Sequence, residues 1–280
     1  MFDSYPPKSV VVGVDGSQAA IRAARWAVDE VAGTDVPLRL LYVARTDPGA
    51  GPPEDRAALA AAEEVVHEAY DAVEALGRPV KVETEVLDGE PVPTLIAASR
   101  STGLLCVGDT GAAQHPEGWL GSTARGLAQS AHCSVAIVRG GRDGADTSDR
   151  RWIVACVDGA PEDVDVLDLA LNEALRRHAR LRVVTERQPD GAPGGGGAGA
   201  ILDPDLVRCL DGYPDVHVDT AVLRGPFRDY LAEHAVFIQL VMVGAVRTAE
   251  VRQLLGPDGA PALRGSDFSL LIVGPERPGR

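Results

Sequence analysis

Two glycine-bearing segments bring together residue types that can hold an anionic small molecule. Gly108-Asp109-Thr110-Gly111 is followed after nine further residues by Gly121-Ser122-Thr123. Glycines let a backbone approach a phosphate chain closely, and the unpaired amides at a helix start donate to its oxygens. The Ser122 and Thr123 hydroxyls add donors. The same residues also suit an ordinary strand-to-helix loop with a serine cap. The other segment is Val14-Asp15-Gly16-Ser17. Its carboxylate can meet a ribose, a metal ion or the amino group of a base, or the segment can simply form a turn whose serine caps the next helix. Further along, the main chain at Tyr42-Val43-Ala44 can read the edge of a base, although a buried strand end predicts the same residues.

These segments need elements that bring them to one place. Apolar runs alternate with helix-like stretches: the pattern predicts strands over 10–14, 38–43, 80–87, 104–108 and 135–138, and helices over 18–32, 54–76, 92–101 and 122–130. Strands that are continuously apolar belong to parallel sheets covered on both faces by helices. That predicts an open doubly wound α/β unit, Rossmann-like, whose ligand crevice lies beyond the carboxyl ends of the strands where strand order reverses.

The pattern occurs twice. Lys8 to Gly16 aligns with Arg151 to Gly159, Leu104 to Gly108 with Leu240 to Gly244, and Ser134 to Val138 with Ser269 to Val273. Collinear matches indicate an internal repeat. The expected organisation is a first domain over 1–140, a polar linker over 141–150 rich in Gly and Asp, and a second domain over 151–280. Within the second, the glycine-rich stretch 189–200 reads as a loop, followed by a short helix near Pro204 to Leu210.

The 280 residues carry 41 acidic and 27 basic side chains, a net charge of −14 that repels phosphate backbones and argues against nucleic-acid binding. The longest apolar runs are too short to span a bilayer, so no membrane partner is expected. The N-terminus lacks the charged start and apolar middle of a secretory signal, which predicts a cytoplasmic chain. Cys106, Cys133, Cys156 and Cys209 are far apart, with no paired spacing for a metal or a redox centre, and read as buried, inert thiols. His67, His115, His132, His178, His217 and His234 form no ligand spacing and stand beside no nucleophile, so no catalytic residue and no metal ligand is assigned. The 54–76 segment, with Glu63, Glu64, Glu68, Asp71 and Glu74, reads as a solvated acidic helix face.

Taken together, these features resemble the universal stress protein family, in tandem-domain form. Its nucleotide-binding members carry G-x2-G-x9-G-[ST] after the fourth strand, and Gly108, Gly111, Gly121 and Ser122 match that pattern residue for residue. The resemblance implies an adenine nucleotide α-hydrolase-like fold in both halves and an adenine-nucleotide ligand (ATP, ADP or AMP) in the first half. Its contacts would be Asp15, flanked by Val14, Gly16 and Ser17, the Val43 main chain at the base, and Ser122 and Thr123 at the phosphates. It also implies pairing through final strands, giving an internal pseudo-dimer or a homodimer.

One departure concerns charge. The family loop often carries Arg after the first motif glycine, whereas here Asp109, Ala112 and Glu117 leave it neutral to acidic, with His115 as its only cationic candidate. Phosphate charge would then fall to helix amides and a divalent ion such as Mg²⁺. In the second half Asp158 persists, but Ala160 stands opposite Ser17, Arg247 opposite Gly111 and Pro257 opposite Ser122. Proline has no amide hydrogen, so a donor is lost and a degenerate, empty pocket is expected there.

The leading expectation is a nucleotide-binding stress-response or regulatory protein. With no evident general base, any ATP hydrolysis would be slow. The alternative is a nucleotide-free protein-interaction module of the same fold. An enzyme of the wider α-hydrolase type is disfavoured because no SGGxDS-like pyrophosphate loop is present.

Overall fold

The computed structural model describes residues 9–45, 52–112, 120–140, 152–185, 204–246, 251, 254–255 and 266–274. The linker 141–150 and the glycine-rich stretch 189–200 lie outside these residues. The chain forms two compact units, one ending at Arg139 and one continuing from Gly140.

In the first unit the order is β1 (Ser9–Val14), α1 (Gln18–Val31), β2 (Leu38–Ala44), α2 (Pro52–Glu74), β3 (Val82–Asp88), α3 (Pro91–Ala98), a short 3₁₀ turn (Ser99–Ser101), β4 (Thr102–Gly108), α4 (Ser122–Ser130) and β5 (Ser134–Val138). The strands lie in the order β3-β2-β1-β4-β5, and each neighbouring pair is parallel. Central β1 is buried along nearly its whole length, with Val10, Val11, Val12 and Val14 in the core. That is why its sequence shows no polar alternation.

Helix α1 begins where the Ser17 hydroxyl accepts the Ala20 amide at 3.1 Å, a serine N-cap. Its inward stripe is small: Ala19, Ala20, Ala23, Ala24, Ala27 and Val28 are all buried. Such a face can approach the sheet closely, and it does so over β4. In α2 the buried residues Ala62, Val66, Ala69 and Val73 recur at helical spacing, while Glu63, Glu64, Glu68, Asp71 and Glu74 are exposed, as the acidic face predicts.

The second unit runs β6 (Trp152–Cys156), α5 (Asp163–Arg176), β7 (Leu181–Thr185), α6 (Pro204–Asp211), β8 (Val218–Val222), α7 (Phe227–His234), a 3₁₀ turn (Ala235–Phe237), β9 (Ile238–Gly244) and β10 (Ser269–Val273). Its strand order is β8-β7-β6-β9-β10, again parallel, which repeats the order of the first unit strand for strand. Cys106, Cys133 and Cys156 are buried, and Cys209 is half-buried.

Candidate functional site

From β1 the chain winds through α1 to β2 on one side; from β4 it winds through α4 to β5 on the other. The carboxyl ends of β1 and β4 are therefore the switch point at which an open α/β sheet leaves a crevice. The loops that leave these two strands are tied together there. Asp15 Oδ1 accepts the Ser17 amide at 3.0 Å, and Asp15 Oδ2 accepts the Ala112 amide at 3.0 Å across the switch point. Ser17 Oγ lies 3.5 Å from the Thr110 carbonyl while capping α1. Gly16 takes φ +80°, a left-handed turn that glycine adopts without strain.

The loop after β4 is closed at its base by the Gly121 amide donating to the Asp109 carbonyl at 2.8 Å. A Cβ built on Gly121 would lie 3.5 Å from the Gly111 nitrogen, so Gly111 and the start of α4 are neighbours. Gly121 caps α4 in an extended conformation, φ −58° and ψ 156°, and as a glycine offers no capping side chain of its own. The first-turn amides form the positive end of the helix, and Gly121 at its start neighbours Gly111. Ser122 is exposed and Thr123 half-buried at that tip.

The four motif glycine and serine positions differ in what they do. A Cβ on Gly108 would stand 2.6 Å from both the backbone carbon and the Cβ of Ala19, so Gly108 is required by the close packing of α1 on β4. A Cβ on Gly111 would meet Asp15 Oδ2 at 3.0 Å, so Gly111 leaves room for the Asp15 bridge. Only Gly121 and Ser122 stand clear of such internal demands.

Val43 reaches the crevice through its backbone. The Leu38 amide donates to Lys81 O and the Ala44 carbonyl accepts from the Gly89 amide, so even-numbered residues of β2 turn their polar groups toward β3. Odd-numbered Val43 turns its carbonyl toward β1, one residue past the last β1–β2 pair, Val14↔Tyr42. An acceptor thus faces the end of β1, next to Val14 and Asp15.

Two cations that sequence reasoning overlooked converge on the β4 loop. Arg22 Nη2 lies 3.9 Å from Asp109 Oδ1, and Arg139 Nε lies 3.5 Å from Asp109 Oδ2. Arg139 directly follows β5, whose last residue pairs with Gly108, so the end of that strand was the available signal. Arg22 stands one turn beyond Ala19, the residue packed on Gly108. His115 and Glu117 lie outside the described residues. Among the described residues no group of three His, Cys, Asp or Glu is placed to hold a metal ion.

In the second unit the Asp-Gly turn is kept, with Gly159 at φ +91°, but the loop is used differently. The fully buried Asp163 accepts the amides of Asp158, Gly159 and Ala160 through Oδ2 at 2.7, 3.0 and 3.1 Å. Its counterpart in the first unit is Ala20. The loop after β6 is thus folded back on a carboxylate of its own helix, where the loop after β1 is joined to the β4 loop. Arg247, Gly256 and Pro257 lie outside the described residues.

Fold and site define a doubly wound α/β protein whose β1 and β4 loops meet at the switch point. The universal stress protein family profile matches residues 7–139. Universal stress protein Rv2028c of Mycobacterium tuberculosis is 43% identical over 281 residues, covering 98% of this chain and 99% of the relative. Universal stress protein Rv2624c of the same organism is 37% identical over 270 residues, covering 95% and 96%. The crystal structure of a universal stress protein from Archaeoglobus fulgidus superposes with a TM-score of 0.68 at 18% identity, covering 95% of this chain and 96% of that one. The chain belongs to the universal stress protein family.

Proposed function

We propose that the first unit binds an adenine nucleotide (ATP, ADP or AMP) and that the protein acts as a stress-response or regulatory protein whose state this ligand sets. The observation that carries the reading is the Asp15 bridge to Ala112, which gathers three kinds of recognition group at one switch point. The Val43 carbonyl offers an acceptor to a base amino group. Asp15, beside Gly16, is within the same cleft as a ribose would be. Gly111, Ser122 and Thr123 offer amides and hydroxyls to phosphate oxygens, and Gly121, whose own amide closes the loop on Asp109, leaves room for a close approach beside them. A divalent ion such as Mg²⁺ would arrive on those phosphates rather than on a preformed cluster. Hydrolysis would be slow, because positioning without a general base supplies only part of the rate enhancement.

The second unit, in this reading, is a degenerate domain over 151–280 that holds no nucleotide, since Asp163 already fills the amides of its first loop.

A nucleotide-free interaction module remains the competing reading, and two observations favour it. Gly108 is needed for α1 packing and both Asp15 oxygens are engaged internally, so these residues serve the fold with or without a ligand.

The deciding experiment uses Ser122→Pro. Gly121 already has the extended conformation that a following proline requires, and proline is well tolerated at the first helical position. The change deletes one amide and one hydroxyl donor while keeping the helix. Protein is denatured, released nucleotide is identified by chromatography, and ADP is titrated calorimetrically into the refolded chain. Binding by the parent that falls roughly tenfold in Ser122→Pro supports the nucleotide reading. No binding by the parent supports the interaction module.

A further inference from the structure

Strand β3 is the edge of the first unit's sheet, and β2 is its only strand partner among the described residues. The Lys81 carbonyl receives the Leu38 amide and the Gly89 amide donates to the Ala44 carbonyl, so odd-numbered residues of β3 turn their polar groups toward β2. The amides and carbonyls of Val82, Thr84 and Val86 therefore point away from the sheet, with no strand beside them among the described residues. The same three residues line one wall of a groove of about 570 Å³. Its other wall is a stripe of α2 that runs from Leu59 through Glu63 and Val66 to Tyr70, at spacings of three and four residues. Val66 is buried there, whereas Leu59 stays 50% exposed, so apolar surface is left open along the groove.

A groove beside an open strand edge is the shape that takes an added strand: main chain pairs along the edge while alternate side chains enter the groove. The charge of the walls decides which strand. Glu63 and Glu85 line the groove, Glu64, Glu68 and Asp71 are exposed on the same helix, and Glu83 is exposed on the same strand. Arg39 reaches Glu85 and Lys81 reaches Glu83, but the described residues give Glu63, Glu64 and Glu68 no basic partner. A second copy of this edge would set like charges opposite one another, which destabilises a strand pair. We propose that the groove between β3 and α2 is a docking site for an extended, basic segment of a protein partner, Lys or Arg alternating with apolar residues, which adds to β3 as a further strand. The site is independent of any nucleotide at the switch point, because β2 lies between β3 and β1.

The test titrates short fluorescein-labelled peptides into the full chain and follows their anisotropy. One peptide alternates Lys with Val, a second alternates Glu with Val, and a third is the Lys peptide with every amide N-methylated, so that neither of its edges can donate. The Lys peptide should bind about tenfold tighter than the Glu peptide and weaken as salt is raised, and the methylated peptide should lose about tenfold. Bound Lys peptide should slow hydrogen exchange at the outward amides of Thr84 and Val86 and leave those of Glu83 and Glu85, which face β2, as they were. Thr84→Pro deletes an outward donor at an exposed edge position where proline is tolerated, and should weaken the Lys peptide about tenfold with little change in the unfolding midpoint. Glu63→Lys, at an exposed helix position, should weaken it about threefold. Equal binding of the two charged peptides overturns the proposal, as does binding that leaves exchange at Thr84 and Val86 untouched, or no binding of any peptide. A parent that dimerises in sedimentation and loses the dimer in Thr84→Pro also overturns it, by assigning the edge to a second copy. Should Thr84→Pro fail to fold, the methylated peptide and Glu63→Lys decide on the same criteria.

Discussion

Asp15 Oδ2 accepts the Ala112 amide at 3.0 Å, joining the loop after the first strand to the loop after the fourth. This bond spans the reversal of strand order. Because Asp15 is exposed, its worth is modest. Asp15→Ala is expected to lower the stability of the chain by about 1–2 kcal/mol in urea unfolding, for two charge-assisted bonds lost at the surface. The Ala112 amide should also lose its protection from hydrogen exchange. An unchanged exchange rate at Ala112 would show that the bridge is not formed in solution.

Two glycines of one motif should answer differently to the same methyl group. Gly108→Ala drives a Cβ to 2.6 Å from Ala19 backbone and side chain, so α1 must move off β4, at a cost of about 3 kcal/mol. Gly121→Ala meets nothing closer than 3.5 Å and should leave the unfolding midpoint nearly unchanged. Its methyl nevertheless lies against Gly111 and Asp109 at the crevice mouth, so ADP affinity should drop severalfold. Equal destabilisation by the two substitutions would contradict the packing described for Gly108.

In the second unit, Asp163→Ala leaves the amides of Asp158, Gly159 and Ala160 without their acceptor. A loss of about 3 kcal/mol or more is expected in denaturant unfolding, since buried donors without partners are costly. Asp163→Asn, which keeps one acceptor oxygen, should recover part of that loss. A wild-type midpoint for Asp163→Ala would mean that the loop finds other partners.

Thiol reactivity gives a pH-dependent test. Cys209 is the one cysteine with appreciable exposure, and burial, followed by the nearby negative charge of Asp168, raises its pKa above the ordinary thiol value. At neutral pH its thiolate fraction is therefore small, and alkylation of the native protein should be slow. The rate should climb about tenfold per pH unit through the alkaline range before levelling off above the raised pKa. Cys106, Cys133 and Cys156 should react only after unfolding, as mass-spectrometric counting of labels can show.

Much of the architecture was written along the chain. Both faces of β1, β4, β6 and β9 are covered, so these strands must be apolar without alternation, and a parallel sheet follows from that composition alone. The start of α4 at Ser122 and the turns at Gly16 and Gly159 were likewise legible, because helix starts and left-handed turns are local demands that residue type satisfies. The expected ends of α3 and β4 shifted by a few residues, since the Ser99–Ser101 turn and the first residues of β4 depend on tertiary pairing with β1.

Tertiary structure alone decided what several of those residues are for. Motif spacing could not tell that Gly108 answers to Ala19, because the demand comes from a helix packed across the sheet. Nor could it bring Arg22 and Arg139 to Asp109, or reveal that Asp163 turns back onto the loop before it. Local sequence encodes conformational preference residue by residue. Charge neighbours and steric room at the end of a sheet belong to segments far apart in the chain, and they exist only once the strands are in register.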